Sequence, residues 1–399
     1  MTFPHQPRRL RFCSRRDGLS CLPDPILEKI LSYLPTKDAF ATSILSKRWK
    51  PLWRSQLILP LDDKTFPDAL AFRQFLYSVM AMRDNTLPIL SLHLNCCYRF
   101  YSNKDFYNLL YEAITRGVQN LSIDLPHCSI SIMTTLPTFL LTTNTLSVLK
   151  LKGVKVTLNE DDPDIHLPSL KVLHLESVGF TYYQDIMKLL SGCPILEELE
   201  AKDLIVYTLC KEFPTDTDVP SLSNLVRANI SDPHIQFDWI HNIHHLRTQL
   251  RGPFGFDTMV HNLIHLELIF DFNFRYLFRS QHKCRWLTKI LKNFPKLQTL
   301  IIDEINKVDT VHDYCDGKWE DPTIISECLL SHLTTCSLRN YSHLSCELQF
   351  AKYIMKNSRV LSTMTIQCAK FLETNTKLQM SRELSLYPRI SGACKILCI

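Results

Sequence analysis

The chain has 399 residues, a formal net charge of +5, 45% apolar residues, 15 cysteines and nine glycines. That length holds two or three ordinary domains, or one small module followed by a long array of repeats. The charge excludes a broad nucleic-acid-binding face, because Arg8, Arg9, Arg11, Arg15 and Arg16 stand against Asp17 alone and leave the rest nearly neutral. No run of 18 uncharged apolar residues occurs, so no membrane span is expected. No apolar segment follows the leading arginines, so no secretory signal is expected either. An odd number of cysteines without CxxC spacing points to reduced thiols, and hence to the nucleus and/or cytoplasm. Scarce glycine argues against loops that cradle phosphates.

Residues 1–17 read as a disordered basic arm: a nuclear-import patch, a phosphate-contacting tail or a solvated leader. Residues 18–60 follow as a small helical module. Ile26, Leu27, Ile30, Leu31 and Leu34 fall within a stripe of about 140° on a helix. Asp24 is placed to cap it, Pro25 is tolerated in its first turn, and Pro35 is expected to end it. Thr36 is expected to cap a second helix with Asp38 in its first turn. Ser46 is expected to cap a third, which carries Trp49, Leu52 and Trp53 and which Pro51 should kink or shorten. So many bulky apolar residues in so small a unit suggest an outside that keeps Leu, Ile and Trp for another protein.

This stretch resembles a plant-type F-box. The residues that carry the resemblance are Leu22-Pro23, Ile30-Leu31-Ser32-Tyr33-Leu34-Pro35-Thr36-Lys37, Thr42-Ser43-Ile44-Leu45-Ser46-Lys47-Arg48-Trp49 and Leu52-Trp53. Cys21 and Phe40 depart mildly from the family pattern. The resemblance implies docking on the Skp-type adaptor of a cullin–RING ubiquitin ligase. It implies contact through Leu22, Pro23, Ile26, Leu27, Ile30, Leu34, Pro35, Leu45, Trp49, Leu52 and Trp53.

Residues 61–340 read as a solenoid, and from about residue 87 onward a pattern recurs: apolar, two residues, apolar, one residue, apolar. It reads Val118-Leu121-Ile123, Leu146-Leu149-Leu151, Leu170-Leu173-Leu175 and Leu196-Leu199-Ala201, then weakly Leu222-Leu225. It returns at Leu263-Leu266-Leu268, Leu297-Leu300-Ile302, Leu333-Cys336-Leu338 and Leu361-Met364-Ile366. The first four starts are 28, 24 and 26 residues apart, inside the period of leucine-rich repeats. Each unit is a short strand feeding a shared core, plus a return segment; Asp185–Leu190 reads as one return helix, stopped at Ser191-Gly192. Later steps of 34 and 36 imply inserted loops, one of them the acidic stretch Asp303–Pro322. Asparagine ladders are missing, so an irregular curvature is expected.

Residues 146–204 resemble the leucine-rich repeats of plant F-box/FBD proteins. Residues 341–399 resemble their FBD module through Glu347–Met364 and Arg382–Cys398. Within it Leu348, Ala351, Ile354 and Met355 form one helix face, and the terminal KILCI an alternating or buried strand. The expected fold is α+β: an N-terminal three-helix F-box, an irregular α/β leucine-rich-repeat solenoid and a C-terminal FBD-like module.

GxSxG, GxxxxGK[ST], HExxH and GxGxxG are all absent, so no enzyme, cofactor or resident metal is expected. His261 and His265, and His241, His244 and His245, lack a Cys or carboxylate in register and read as structural. Glu197, Glu198 and Glu200 read as a solvated strand face. Lys150, Lys152, His174, Glu176, Glu200 and Lys202 would point outward from the repeat strands, as would His265 and Glu267. That mixed-sign surface suits a protein partner better than a nucleic-acid backbone. The resemblance implies a specificity subunit of an SCF-type ligase that binds adaptor, cullin and a protein substrate. Two alternatives stay open: a non-degradative scaffold, and a small-molecule receptor with a repeat-lined pocket.

Overall fold

The computed structural model describes residues 19, 22–96, 103–125, 133–159, 161–208, 222–250, 258–271, 280–305, 321–342 and 344–399. The basic arm and most of the acidic stretch lie outside these residues; Asp303 itself belongs to a strand. The chain divides into two compact units, Met1–Pro126 and His127–Ile399.

The first unit opens with α1 (Asp24–Leu31), α2 (Thr36–Ala41), a 3-10 turn at Thr42–Ile44 and α3 (Trp49–Arg54). Pro23, not Asp24, holds the N-cap position of α1. The Asp24 carboxylate is engaged elsewhere, by Arg48 Nε at 2.8 Å. The helix stops at Leu31 rather than reaching Pro35, and Leu34 falls in the turn beyond it. Pro35 instead precedes α2 as its N-cap. Thr36 is the first helical residue rather than the cap, and its hydroxyl donates to Pro60 O at 2.6 Å. α3 begins after Arg48 instead of Ser46. Pro51 is its third residue, where a helix has no acceptor for an N–H in any case, so the helix is short but unbroken.

These helices share one core. Leu27, Leu31, Ala39, Trp49, Leu52 and Trp53 pack with Val79 from α4 (Ala69–Met82). Phe40 meets Trp53 edge-on with ring centroids 4.8 Å apart. Asp68 Oδ1 caps α4 by accepting from Ala71 N at 2.8 Å. Next to it Arg83 is 3% exposed and donates to the carbonyls of Gln56, Leu87 and Pro88 at 2.6–3.2 Å. Burial lowers its pKa to about 10, so it stays charged while pinning three backbone carbonyls. Strands β1 (Ile58–Asp62), β2 (Ser91–Asn95) and β3 (Asn120–Asp124) pair in parallel, with α5 (Asn103–Thr115) between the last two. The register puts Leu59 beside Leu92 and Leu92 beside Leu121, all buried. β1 crosses the boundary expected at residue 60.

In the second unit β4 (Thr134–Thr135), β5 (Val148–Lys152), β6 (Val154–Val156), β7 (Val172–Glu176) and β8 (Gly179–Tyr182) precede α6 (Tyr183–Ser191). β9 (Glu198–Lys202), β10 (Ile205–Thr208), β11 (Arg227–Ile230), β12 (His245–Leu250) and β13 (His265–Asp271) follow. The remainder comprises α7 (Ser280–Ile290), β14 (Thr299–Ile305), α8 (Glu327–Ser331), β15 (Thr335–Tyr341), α9 (Ser345–Asn357), β16 (Thr363–Cys368), α10 (Thr374–Leu386) and β17 (Lys395–Cys398). Strands β5, β7, β9 and β11 to β17 lie side by side in chain order. Every described pairing is parallel, so the expected α+β class is corrected: helices and loops return the chain between parallel strands, as in α/β architecture.

The repeat pattern becomes two inward rows. Leu149, Leu173, Leu199, Ala228, Leu246, Leu266, Leu300, Cys336 and Met364 are neighbours in register, and all are buried. A buried leucine side chain contributes roughly 1.5–3 kcal/mol, and only the adjacent repeat makes that burial complete. β12 is one strand the sequence pattern does not name, and the weak Leu222-Leu225 match runs ahead of β11, whose unit in register is Leu225-Ala228-Ile230. The β12 unit reads Ile243-Leu246-Thr248, with threonine in the third apolar place.

A second sheet, in the order β10-β8-β6-β4, is also parallel and was not foreseen. Gly153, Ser177 and Asp203 turn the chain from the first sheet to the second, with φ of 69°, 51° and 50°. Each follows the last residue of its strand, so three successive repeats use one left-handed corner. Gly192 does end α6, but with φ of −72° its conformation would suit any residue. Space decides there: an added Cβ would lie 2.6 Å from Ile165 Cγ2.

In α9, Ala351, Ile354 and Met355 are buried and Leu348 is half-buried, while the terminal KILC forms the last strand. The nine described cysteines are all free. Burial pushes Cys193, Cys328 and Cys336 up to about 12, so they remain thiols and pack as small apolar groups. No helix among the described residues is long and apolar enough to cross a membrane.

Candidate docking surfaces

The helical module sorts its apolar residues into two sets. Leu27, Trp49, Leu52 and Trp53 lie in the core, the two tryptophans 6% and 3% exposed. The expected outward Trp face is therefore corrected: both tryptophans share a buried cluster with Val79 of α4. Leu22, Ile30 and Leu34 lean on this core and are partly covered. Pro23, Ile26, Pro35 and Leu45 are exposed. Two further side chains join them, Tyr33 at 75% and Ile44 at 87% exposure. Ile44 closes the 3-10 turn directly before Leu45, where no helical face is available to bury either. That is the signal by which sequence could have found them: an apolar pair in a turn, outside any periodic stripe. Arg48 fixes the geometry by tying Asp24 and the Leu22 carbonyl to the start of α3.

The outward face of the repeat sheet assembles the other expected residues. Lys150, His174 and Glu200 are neighbours in one row, and Lys152, Glu176 and Lys202 in the next. Glu176 lies between two cations, 3.3 Å from Lys152 and 3.8 Å from Lys202. His174 Nε2 is 2.9 Å from Glu198 and its Nδ1 is 3.6 Å from Glu200. Arg227 reaches Glu198 at 3.0 Å, so the carboxyl is held below its usual range, first by the His174 hydrogen bond and then by Arg227. Further along, Asn229 donates to Glu200 at 3.1 Å and Arg247 to Asn229 at 3.2 Å. Glu267 receives both Arg247 at 3.4 Å and Arg339 at 3.0 Å.

These pairs neutralise one another, so the face carries alternating rather than single-sign charge. Such a surface lacks the single-sign positive charge that a polyanionic backbone demands. Glu197 does not join this network; it pairs with Lys171 at 2.7 Å. His245 stacks on His265 with ring centroids 5.7 Å apart. Burial, then the charges of His265, His244 and Arg227, lower the His245 pKa. No group of three His, Cys, Asp or Glu side chains among the described residues is arranged to hold a metal ion.

Three family models match the chain. An F-box domain model covers residues 19–61, which takes in α1 to α3 and most of β1. A model described as the LRR repeats of FBD-associated F-box protein At5g56370 covers residues 107–211. The FBD model covers residues 321–366, beginning upstream of the module expected at 341–399 and ending at the close of the repeat pattern. Among curated relatives, a putative FBD-associated F-box protein of Arabidopsis thaliana, At3g50710, is 32% identical over 96% of this chain and 99% of its own length. F-box/FBD/LRR-repeat protein At4g00160 of the same plant is 29% identical over 97% of this chain and 95% of its own. FBD-associated F-box protein At4g10400 is 30% identical over 95% and 99%, respectively.

Proposed function

Because the chain belongs to the plant FBD-associated F-box family, we propose that it is the substrate-recognition subunit of an SCF-type cullin–RING ubiquitin ligase. The F-box docks on a Skp-type adaptor, which links it to the cullin. The parallel repeats form a leucine-rich-repeat solenoid whose outward face holds a protein substrate. The chain contributes no bond chemistry of its own; it raises the effective concentration of substrate near the ubiquitin-charged enzyme. It acts in the nucleus and/or cytoplasm, with the basic arm as the candidate import signal.

The observation that carries this reading is the F-box match over 19–61, together with the apolar side chains that segment leaves exposed. Ile26, Tyr33, Ile44 and Leu45 expose area that a monomer gains nothing by exposing. Pro23 and Pro35 flank the same helices. We assign adaptor contact to this exposed set, with Leu22, Ile30 and Leu34 behind it. Leu27, Trp49, Leu52 and Trp53 act indirectly, by fixing its shape. The sheet face acts through Lys150, Lys152, His174, Glu176, Glu200 and Lys202.

The test is adaptor binding by surface variants. Ile26→Asp with Leu45→Asp should weaken adaptor affinity by about 30-fold or more, equivalent to roughly 2 kcal/mol, with an unchanged thermal midpoint. In a reconstituted ligase the same variant should still bind its substrate but no longer promote its ubiquitination. Wild-type adaptor affinity in the double variant would remove the assignment.

A further inference from the structure

A cavity of about 180 Å³ opens where β11 and β12 end. Its walls come from Ile230, from the loop 231–236, from the 3-10 turn Phe237–Ile240 and from Thr248 and Gln249 of β12. Engineered apolar cavities of about 150 Å³ hold one benzene-sized molecule, so the space is that of a small ligand or one long side chain.

The inward row of the sheet shows why the place is unusual. In register it runs Ile230, Thr248, Leu268, Ile302, Leu338, Ile366. Thr248 is the one hydroxyl in that apolar row, and it is 2% exposed. Among the described residues it has no side-chain hydrogen-bond partner, and neither has Ser231, which is 6% exposed and lines the same cavity. Neither hydroxyl oxygen is among the fully buried unpartnered atoms, so both remain open to a partner that enters the cavity. Valine would fill the Thr248 site with the same volume and no hydroxyl.

The other polar groups are acceptors or are already used. Gln249 Nε2 donates to Asp271 Oδ2 at 3.0 Å, on the sheet face opposite Thr248. Asp238 stands exposed at the rim, with one oxygen accepting from Thr258 Oγ1 and the other open. Asp232 is spent on structure: it accepts from Leu204 N at 2.6 Å and from His234 N and Nδ1 at 2.9 and 2.7 Å, and so pins the loop. Among the described lining residues no side chain is cationic. Gln236 also lines the cavity, its amide donating to Tyr183 at 3.3 Å, and the apolar wall is built of Ile230, Ile235 and Phe237.

We propose that this cavity is a binding site for an alkylguanidinium or alkylammonium group, its stem against Ile230, Ile235 and Phe237 and its N–H donors on Ser231, Thr248 and Asp238. The chemistry has two sources, an arginine or lysine side chain of a protein and a free small cation. It stands apart from the adaptor reading, because the test uses the chain alone.

The full chain is titrated calorimetrically with n-butylguanidinium, with butyrate as the anionic control, and with a blocked Gly-Arg-Gly tripeptide. Saturable binding of butylguanidinium is expected, and none of butyrate. Thr248→Val should weaken the cation by about tenfold while leaving the thermal midpoint unchanged or higher. Asp238→Asn, at an exposed position, should weaken it several-fold with the fold intact. Tighter binding of the tripeptide assigns the side-chain source, and tighter binding of butylguanidinium the free cation. Equal binding of butyrate, no saturation by either cation, or wild-type affinity in Thr248→Val would overturn the proposal.

Discussion

The helical module and the repeat sheet bury their apolar residues in opposite ways. The module gathers Leu27, Leu31, Ala39, Trp49, Leu52 and Trp53 with Val79 into one cluster. The sheet takes the same two inward places from every strand and stacks them, as Leu173 and Leu175 between Leu149 and Leu151 on one side and Leu199 and Ala201 on the other. The first arrangement has no redundancy, because each residue touches the common centre. The second is a sum of neighbour terms, so damage stays near its origin. The difference explains how a module can present an exposed apolar set on a scaffold of fixed shape, while the sheet tolerates unequal steps between repeats.

The sharpest way to break this contrast is to delete one large side chain from each region. Trp53→Ala should cost about 3–5 kcal/mol, and Leu173→Ala about 2–5 kcal/mol. The consequences should differ more than the magnitudes. Hydrogen exchange in Trp53→Ala should accelerate across α1, α2 and α3 together, and adaptor binding should be lost with them. In Leu173→Ala the increase should centre on β5, β7 and β9 and fade along the strands beyond. Uniform acceleration over all the repeats would contradict the neighbour-by-neighbour account.

The same contrast governs what the sequence disclosed. Each pattern Leu-x-x-Leu-x-Leu specified a strand and its inward face, because period-two alternation is local. β12 escaped because Thr248 stands in an apolar slot, and β11 was read out of register because Ala228 is a weak apolar signal. The second sheet escaped because its strands have only two to four residues and because Ser177 and Asp203 take a left-handed corner without glycine. For the tryptophans the missing information was tertiary. Val79 lies outside residues 18–60, and nothing in the module says that α4 will add a residue to the cluster that buries Trp49 and Trp53. The exposed Ile44 and Leu45 were legible as residues of the family pattern, but their exposure follows from the 3-10 turn that carries them.

A smaller effect separates the charged sheet face from the uncharged core of the module. The fold keeps Glu198 ionised through His174 and Arg227, and it disfavours protonation of His245 through burial and neighbouring cations. Both shifts are downward, so the unfolded chain binds more protons than the folded one as the solution is acidified. Stability from His245 is complete above the ordinary histidine value of about 6.5 and is lost as pH falls through its lower folded value. Stability from Glu198 is complete above the ordinary glutamate value and is lost as pH falls through its own depressed value. The thermal midpoint should therefore decline in two stages below neutrality. His245→Asn should flatten the first stage and Glu198→Gln the second. A midpoint that rises on acidification would contradict both assignments. Glu176→Lys, which sets like charges beside Lys152 and Lys202, should change stability by no more than ~1 kcal/mol and should alter substrate binding without touching the adaptor.

The finest distinction lies within the repeats themselves, at the corner that Gly153, Ser177 and Asp203 share. All three residues have φ between 50° and 69°, and each hands the chain from the first sheet to the second. Glycine adopts this region about as readily as its mirror image, whereas a residue with a Cβ meets the following carbonyl oxygen there. The expected penalty is roughly 1 kcal/mol at Ser177, against which glycine's larger unfolded entropy is set. Ser177→Gly should accordingly leave stability unchanged or raise it by up to ~1 kcal/mol. Gly153→Ser, the reciprocal exchange, should lower it by about the same amount. The backbone contacts are alike, since Gly153 N donates to Glu176 O at 3.3 Å and Ser177 N to Lys202 O at 2.9 Å. Any difference between the two variants is then conformational rather than a lost hydrogen bond. Denaturant midpoints of the pair, measured at equal slope, decide it. Opposite signs support one repeated corner, and a loss in both would mean that the Ser177 side chain holds a local contact worth more than its strain.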